Sequence, residues 1–232
     1  MSGLLLWDFD GTLAIRRGET GWSVLLVEVL DTHDPGHGLD ADAIRPHLRD
    51  GFPWHTPHVP HPHLCSAVAW WEMAEHRLAC AYEAVGYGAR RASDLARRAH
   101  RLYIDHRVGW AVYDDVVPVL TRLAERGWTH RILSNHVPEL GALVDGLGLG
   151  DLVDSVSSSA ETGYEKPHPQ AFASVLDGHG RERTWMIGDN FSADVTGAEA
   201  AGLSAVLVRR EHKEATRFSV DLWGVEPFLE VV

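Results

Sequence analysis

Lysine is nearly absent from this 232-residue chain: 19 of its 21 basic residues are arginine, leaving only Lys166 and Lys213. Positive charge is scarce altogether, since 33 acidic residues bring the formal charge to −12. Such a surface repels nucleic-acid and anionic-lipid phosphates, so no nucleic acid and no membrane is expected as a partner. No apolar run approaches the roughly 20 residues that a membrane-spanning helix needs. The N-terminus enters an apolar stretch at once, without a basic segment or cleavage site, and no signal peptide is expected. Cysteine is limited to Cys65 and Cys80. On the single helix expected there, they would lie about 22 Å apart at 1.5 Å per residue, too far to bridge. A reduced, cytoplasmic protein is the simplest expectation.

What is present is ordinary for a globular chain, 45% hydrophobic and 23% charged, and long enough for one large domain or a domain with an insertion. The apolar run Leu4 to Trp7 reads as a buried strand, cut off by Asp8, Asp10 and Gly11. Alternation along a strand sends Asp8 and Asp10 to the same side. Paired carboxylates repel unless a cation or a proton lies between them, so the pair suits acid–base work or a divalent metal. A plain Asx turn is the alternative for these residues in isolation.

From Ala14 to about Gly109 no buried-strand pattern appears. Helices are expected over 20–30, with Thr20 as the cap, over 40–49, capped by Asp40, over 66–85, and over 93–107, capped by Ser93. After Trp110 the pattern alternates: helix 114–126, strand 128–133, helix 138–147, strand 152–157, helix 169–176, strand 184–187, helix 192–201 and a final strand 203–208. This rhythm implies βαβ units. The expected fold is α/β: a doubly wound parallel-sheet core, residues 1–13 and 111–232, with an inserted all-helical cap, residues 14–110. The cap is nearly neutral at −1 and the core carries −11, so an anion site on the core needs local positive charge.

Ligands of open parallel sheets bind outside the carboxyl ends of the strands. Those ends carry Asp8-Phe9-Asp10-Gly11-Thr12, Ser134-Asn135 and Gly188-Asp189-Asn190, with Asp194 further on. The turn Glu165-Lys166-Pro167 contributes one of the two lysines. Each piece alone is weak, since Ser134 suits a turn, Asp189 or Asp194 a helix cap, and Lys166 a solvated surface. Their order is more specific. The set Asp8-Phe9-Asp10-Gly11-Thr12-Leu13, Ser134-Asn135, Lys166-Pro167 and Gly188-Asp189 through Asp194 resembles the four motifs of the haloacid dehalogenase-like hydrolase superfamily.

The resemblance implies a nucleophile at Asp8 that forms an aspartyl-phosphate, and an acid–base at Asp10. It implies Mg²⁺ held by the Asp8 carboxylate, the Asp10 backbone carbonyl and Asp189. Ser134, Asn135 and Lys166 would bind the substrate phosphate, and Asp194 would act behind the metal ligands. Dehalogenating relatives lack an acid at the position of Asp10, because their leaving group needs no proton. A small-molecule phosphate ester is therefore the expected partner and a Mg²⁺-dependent phosphatase the expected activity. A phosphomutase or a non-catalytic binding protein of the same fold are the alternatives.

Within the expected cap, His55, His58, His61 and His63 alternate with prolines. An extended polyproline II segment would align His55, His58 and His61 on one edge. A second metal site is conceivable there, but no carboxylate or cysteine is interleaved at ligand spacing. The alternatives are a stiff, partly solvated loop or one that reaches the active site to select substrate. Trp22, Trp54, Trp70, Trp71 and Trp110 are expected to pack helices on each other and on the core. Hinges are expected near 14–18 and 109–113.

Overall fold

The computed structural model describes residues 3–18 and 21–229. The strands are β1 (Gly3–Trp7), β2 (Ala14–Arg16), β3 (Trp110–Val112), β4 (Trp128–Ser134), β5 (Ser155–Ser158), β6 (Thr184–Gly188), β7 (Ser204–Val208) and β8 (Phe218–Ser219). The α-helices are α1 (Trp22–His33), α2 (Ala41–Ile44), α3 (Ala67–Ala84), α4 (Ala89–Ile104), α5 (His106–Gly109), α6 (Val116–Glu125), α7 (Leu140–Gly146), α8 (Ser159–Thr162), α9 (Pro169–Ala173), α10 (Gly197–Ala200) and α11 (Glu226–Leu229).

Six strands form one parallel sheet in the order β5-β4-β1-β6-β7-β8. Strand β1 is central, and Leu4, Leu5, Leu6 and Trp7 have no exposed surface. Leu5 and Trp7 join the apolar cluster on one face, and Leu4 and Leu6 the cluster on the other. Full burial of each such side chain stabilises the fold by roughly 1.5–3 kcal/mol. The chain runs outward from β1 to β4 and β5, then returns to β6 on the other side. A crevice therefore opens at the carboxyl end of β1. Register aligns its walls: Trp7 pairs with Ile132 on one side and Ile187 on the other.

The helical stretch between β1 and β4 is not purely helical. Strands β2 and β3 pair antiparallel where it leaves and returns, with Ile15 opposite Ala111. Two three-residue strands are too short to show a period of two, which is why the sequence reads them as hinge. Above this ribbon, α3 packs on α4 and α4 on α1. Trp22 stacks on Tyr103 at 4.6 Å and Phe52 on Trp54 at 4.5 Å. Trp70, Trp71 and Trp110 are buried, as expected of packing residues.

Several boundaries move. Helix α4 starts one turn before Ser93, with Gly88 at its N-cap and Ser93 inside. Asp40 caps α2 by accepting from Ala43 N (2.9 Å), but the α-helix ends at Ile44 and Pro46 continues as a 3₁₀ turn. Thr20, the expected cap of α1, lies outside the described residues. Cys65 precedes the Ser66 N-cap of α3, and both cysteines are free. The stretch 192–201 begins as a π-helix, Phe191–Thr196, and its cap is Asn190, which accepts from Ala193 N at 3.0 Å. Strand β7 is not the last, because β8 adds to its edge.

The proline–histidine loop is not polyproline II. Pro53 and Pro62 open 3₁₀ turns, since a proline φ suits a tight helix start as well as an extended chain. The histidines consequently do not share an edge: His55, His58 and His63 are exposed, whereas His61 is buried. His61 N donates to Gly163 O at 2.9 Å, and its Nε2 lies 3.3 Å from Glu165 Oε1. Among the described residues, the only convergent group of three or more metal-type ligands is elsewhere, at Asp8, Asp189 and Asp194. No described helix is long and apolar enough to cross a membrane.

Candidate active site

The crevice begins with the turn that ends β1. Phe9 is fully buried, 5.3 Å from both the Trp110 and His136 rings. That anchor leaves Asp8 and Asp10 on the other side of the chain, lining a cleft of about 300 Å³. The backbone folds sharply behind them, with Leu13 N and Ala14 N both donating to Phe9 O at 2.9 and 3.0 Å. Gly11 sits in the left-handed region at φ 84°, and a Cβ there would collide with the Asp189 carboxylate. Glycine thus lets the first strand's turn approach the acid from β6.

Asp8 Oδ1 is held from two sides. Ser134 Oγ, at the end of β4, donates to it at 2.8 Å, and Lys166 Nζ donates at 2.8 Å. The same ammonium donates to Asp194 Oδ1 at 2.6 Å, while Asn190 N donates to Asp194 Oδ2 at 2.9 Å. Both Asp194 oxygens are therefore occupied, which suits a supporting position behind Asp8 and Asp189. Lys166 is only 2% exposed, and a buried lysine of this kind must be paired to stay charged.

Asn135 explains how Lys166 is held. Its Nδ2 donates to Lys166 O (2.8 Å) and its Oδ1 accepts from Lys166 N (2.7 Å). Grouped by sequence with the phosphate ligands, Asn135 lines the cleft while both ends of its side chain also reach the Lys166 backbone. Its side chain is a strut for the lysine.

Burial shapes the charges. The Asp10 carboxyl is open to the cleft but ringed by protein, which pushes it up to about 6, with Asp8 adding to the rise. Asp189 is also pushed up to about 6, first by burial and then by Asp8. Asp194 is raised chiefly by burial, against the pull of Lys166. Burial works against the Lys166 ammonium, but Asp194 and Asp8 outweigh it and hold its pKa above the usual lysine value. His136, beneath Phe9, is pushed down to about 4 by burial and so stays neutral.

One carboxylate oxygen each from Asp8, Asp189 and Asp194 lies within 4.8 Å of the others. Three buried acids facing one buried lysine leave negative charge uncompensated, and the all-oxygen donor set fits a hard divalent cation. The Asp10 carboxylate lies outside this set.

The sequence reading missed Arg210. Two residues beyond β7, it lines the cleft, and its Nε is 2.9 Å from Asp189 Oδ2. The strand-end rule that picks out Asp8, Ser134 and Asp189 would have found it, had it been applied to β7. Conversely, none of the four loop histidines lines this cleft; the loop meets the core at Gly163 and Glu165, where His61 contacts both.

Known proteins resemble this chain in sequence and in fold. The human haloacid dehalogenase-like hydrolase domain-containing protein 3 is 28% identical over 217 residues, 88% of this chain and 81% of the human protein. The glyceraldehyde 3-phosphate phosphatase of Methanothermobacter thermautotrophicus is 33% identical over 128 residues, 52% of this chain and 56% of that enzyme. Among solved structures, the 2-haloacid dehalogenase of Pseudomonas syringae superposes with a TM-score of 0.69 at 23% identity, covering 99% of this chain and 98% of the other. That likeness concerns the fold. The family model described as haloacid dehalogenase-like hydrolase matches residues 3–202, from the first strand through the second acid cluster. Because that match takes in both the sheet and its crevice, the chain belongs to the haloacid dehalogenase-like hydrolases.

Proposed function

We propose that this hydrolase is a Mg²⁺-dependent phosphomonoesterase acting on a small phosphorylated metabolite through an aspartyl-phosphate on Asp8. The observation that carries the reading is the placement of Asp10. It lines the same cleft as Asp8, and its carboxylate makes no protein hydrogen bond among the described residues. An acid so placed is needed to protonate an ester oxygen but not to release a halide.

Asp8 Oδ1 is held by Ser134 and Lys166, which leaves Oδ2 to attack phosphorus. As that bond forms, the bond from phosphorus to the ester oxygen breaks and Asp10 gives the leaving oxygen its proton. Asp10 then takes a proton from a water that attacks the phosphoryl group, returning Asp8 and releasing phosphate. Ser134 and Lys166 steady the phosphoryl oxygens, and Asn135 keeps Lys166 in place. Asp8, the Asp10 backbone carbonyl and Asp189 would hold Mg²⁺, with Asp194 behind them. The cation would neutralise charge between the nucleophile and the phosphate.

On this reading residues 14–110 are a cap over the crevice, and the partner is a small molecule rather than nucleic acid or membrane, in keeping with the −12 charge. A cytoplasmic setting accords with two unpaired cysteines. The test is Asp8→Asn. It should lower Mg²⁺-dependent phosphate release from p-nitrophenyl phosphate by at least about 10³-fold, with an unchanged circular-dichroism spectrum. Turnover close to wild type would sink the mechanism. In the wild type, Mg²⁺ should raise the melting temperature and EDTA should reverse the rise. Phosphate returned to the substrate rather than released would identify a mutase.

A further inference from the structure

Beyond the phosphate itself, the cleft offers a substrate little apolar surface. Its lining includes Asp8, Asp10, Asp189 and Asp194, while Ile15 and Ala193 are its apolar side chains. Discrimination between phosphate esters must therefore come from charge and hydrogen bonds. The cations lining it are Lys166 and Arg210. Lys166 is buried, and its ammonium is engaged by Asp8 and Asp194. The Arg210 side chain is 69% exposed, and its Nε is 2.9 Å from Asp189 Oδ2. Its two terminal nitrogens make no hydrogen bond to protein among the described residues.

The backbone that carries Arg210 is firmly placed. Arg209, next to it, donates to both Asp115 oxygens at 2.7 and 2.8 Å and to Thr12 O at 3.0 Å. The Arg209 guanidinium also lies 3.9 Å from the centre of the Tyr113 ring, and Arg210 N donates to Val208 O at 2.7 Å. An exposed guanidinium is thus presented from a fixed base at the cleft mouth, with no hydrogen bond to protein at its terminal nitrogens. Its donor fork matches the paired oxygens of a carboxylate or a phosphate.

We propose that Arg210 is a specificity-determining residue, and that the preferred substrates are small phosphate esters carrying a second oxyanion a few bonds from the scissile phosphate. This rests on the phosphatase reading above. The scissile phosphate lies against Asp8, Ser134 and Lys166. The second anion is gripped by the Arg210 terminal nitrogens, while Nε stays on Asp189.

The experiment compares substrates matched in length. For a carboxylate, 2-phosphoglycolate is set against 2-hydroxyethyl phosphate; for a phosphate, propanediol bisphosphate is set against 3-hydroxypropyl phosphate. Wild type should favour the doubly anionic member of at least one pair by about tenfold in kcat/KM, as one charge-assisted bidentate contact implies. The favoured pair identifies which oxyanion is meant. Arg210→Gln should bring that ratio to within about twofold, chiefly through KM for the dianionic ester, and Arg210→Lys should keep part of it. A wild-type ratio near one in both pairs, or a ratio unchanged by Arg210→Gln, overturns the proposal.

Absence of phosphate release from every ester would instead overturn the phosphatase reading. Calorimetric binding of 2-phosphoglycolate and the bisphosphate to wild type and Arg210→Gln then decides the role of Arg210. Affinity lowered about tenfold in the variant for either ligand supports it, and equal affinity for both overturns it.

Discussion

The strand-end edge of the sheet and the helical stretch lying over it are built on opposite principles. At the edge, charges answer one another: buried Lys166 holds Asp8 and Asp194, and the exposed Arg210 meets buried Asp189. In the helical stretch, stacked rings carry the packing, from Trp22 on Tyr103 to Phe52 on Trp54. The two regions meet at a few polar contacts set in apolar surroundings. Trp71 Nε1 donates to Glu139 at 2.9 Å, and His61 sits 3.3 Å from Glu165. The convergent acids and Lys166 stand at the sheet edge, and the ring packing belongs to the helical stretch. The edge should therefore be sensitive to loss of one charge, whereas the helical stretch should tolerate loss of one hydrogen bond.

The strongest test of that contrast is Lys166→Met. It leaves Asp8 and Asp194 buried without their shared cation, a loss worth about 3–5 kcal/mol. Urea unfolding in metal-free buffer at pH 8 should show it. The loss should shrink on acidification as Asp194, whose pKa burial raises, takes up a proton, and a variant as stable as wild type at pH 8 would refute the picture of the edge.

Next in size is a pH effect from below the sheet. Trp7 Nε1 donates to His130 Nδ1 at 3.0 Å, and His130 Nε2 lies 3.0 Å from Leu120 O. The ring therefore accepts at one nitrogen and donates at the other, a neutral tautomer with no room for a second proton. Burial pushes its pKa down from 6.5 to about 4. Between those values the unfolded chain binds more protons, so this group's contribution is complete above pH 6.5 and is lost as the pH falls toward 4. The loss is about 3 kcal/mol. Stability of His130→Gln should fall less steeply over that window than wild type, and equal slopes would contradict the assignment.

The smallest effect is expected where the two regions touch. Trp71→Phe keeps the ring stacking and removes the donor to Glu139. Because Glu139 is half-buried and can turn to water, the cost should be about 1 kcal/mol in a thermal melt. A loss as large as that of Lys166→Met would erase the distinction between the regions.

Legibility followed the same divide. Apolar runs such as Leu4 to Trp7 and Trp185 to Ile187, each cut off by acids and glycine, read as buried strands, and the acids and serine at the strand ends follow from them. The β2–β3 ribbon was hidden because three-residue strands have no readable period. Ser93 has the chemistry of a cap, but Gly88 lets α4 begin earlier. The proline–histidine loop misled because proline fixes φ without choosing between extended chain and 3₁₀ turn. Contact with Gly163 and Glu165, far away in sequence, accompanies the folded form.

The sequence by itself determined the parallel sheet and which acidic, hydroxyl and lysine residues stand at its edge, because burial and strand alternation are local and periodic. Only the tertiary structure decided which atoms meet. It tied the Asn135 side chain to the Lys166 backbone, and it brought Arg210 to Asp189 from beyond the end of β7. Such pairings depend on the register of β1 with β4 and β6 and on the course of the loops beyond them. Those are long-range quantities with no signature in neighbouring residues.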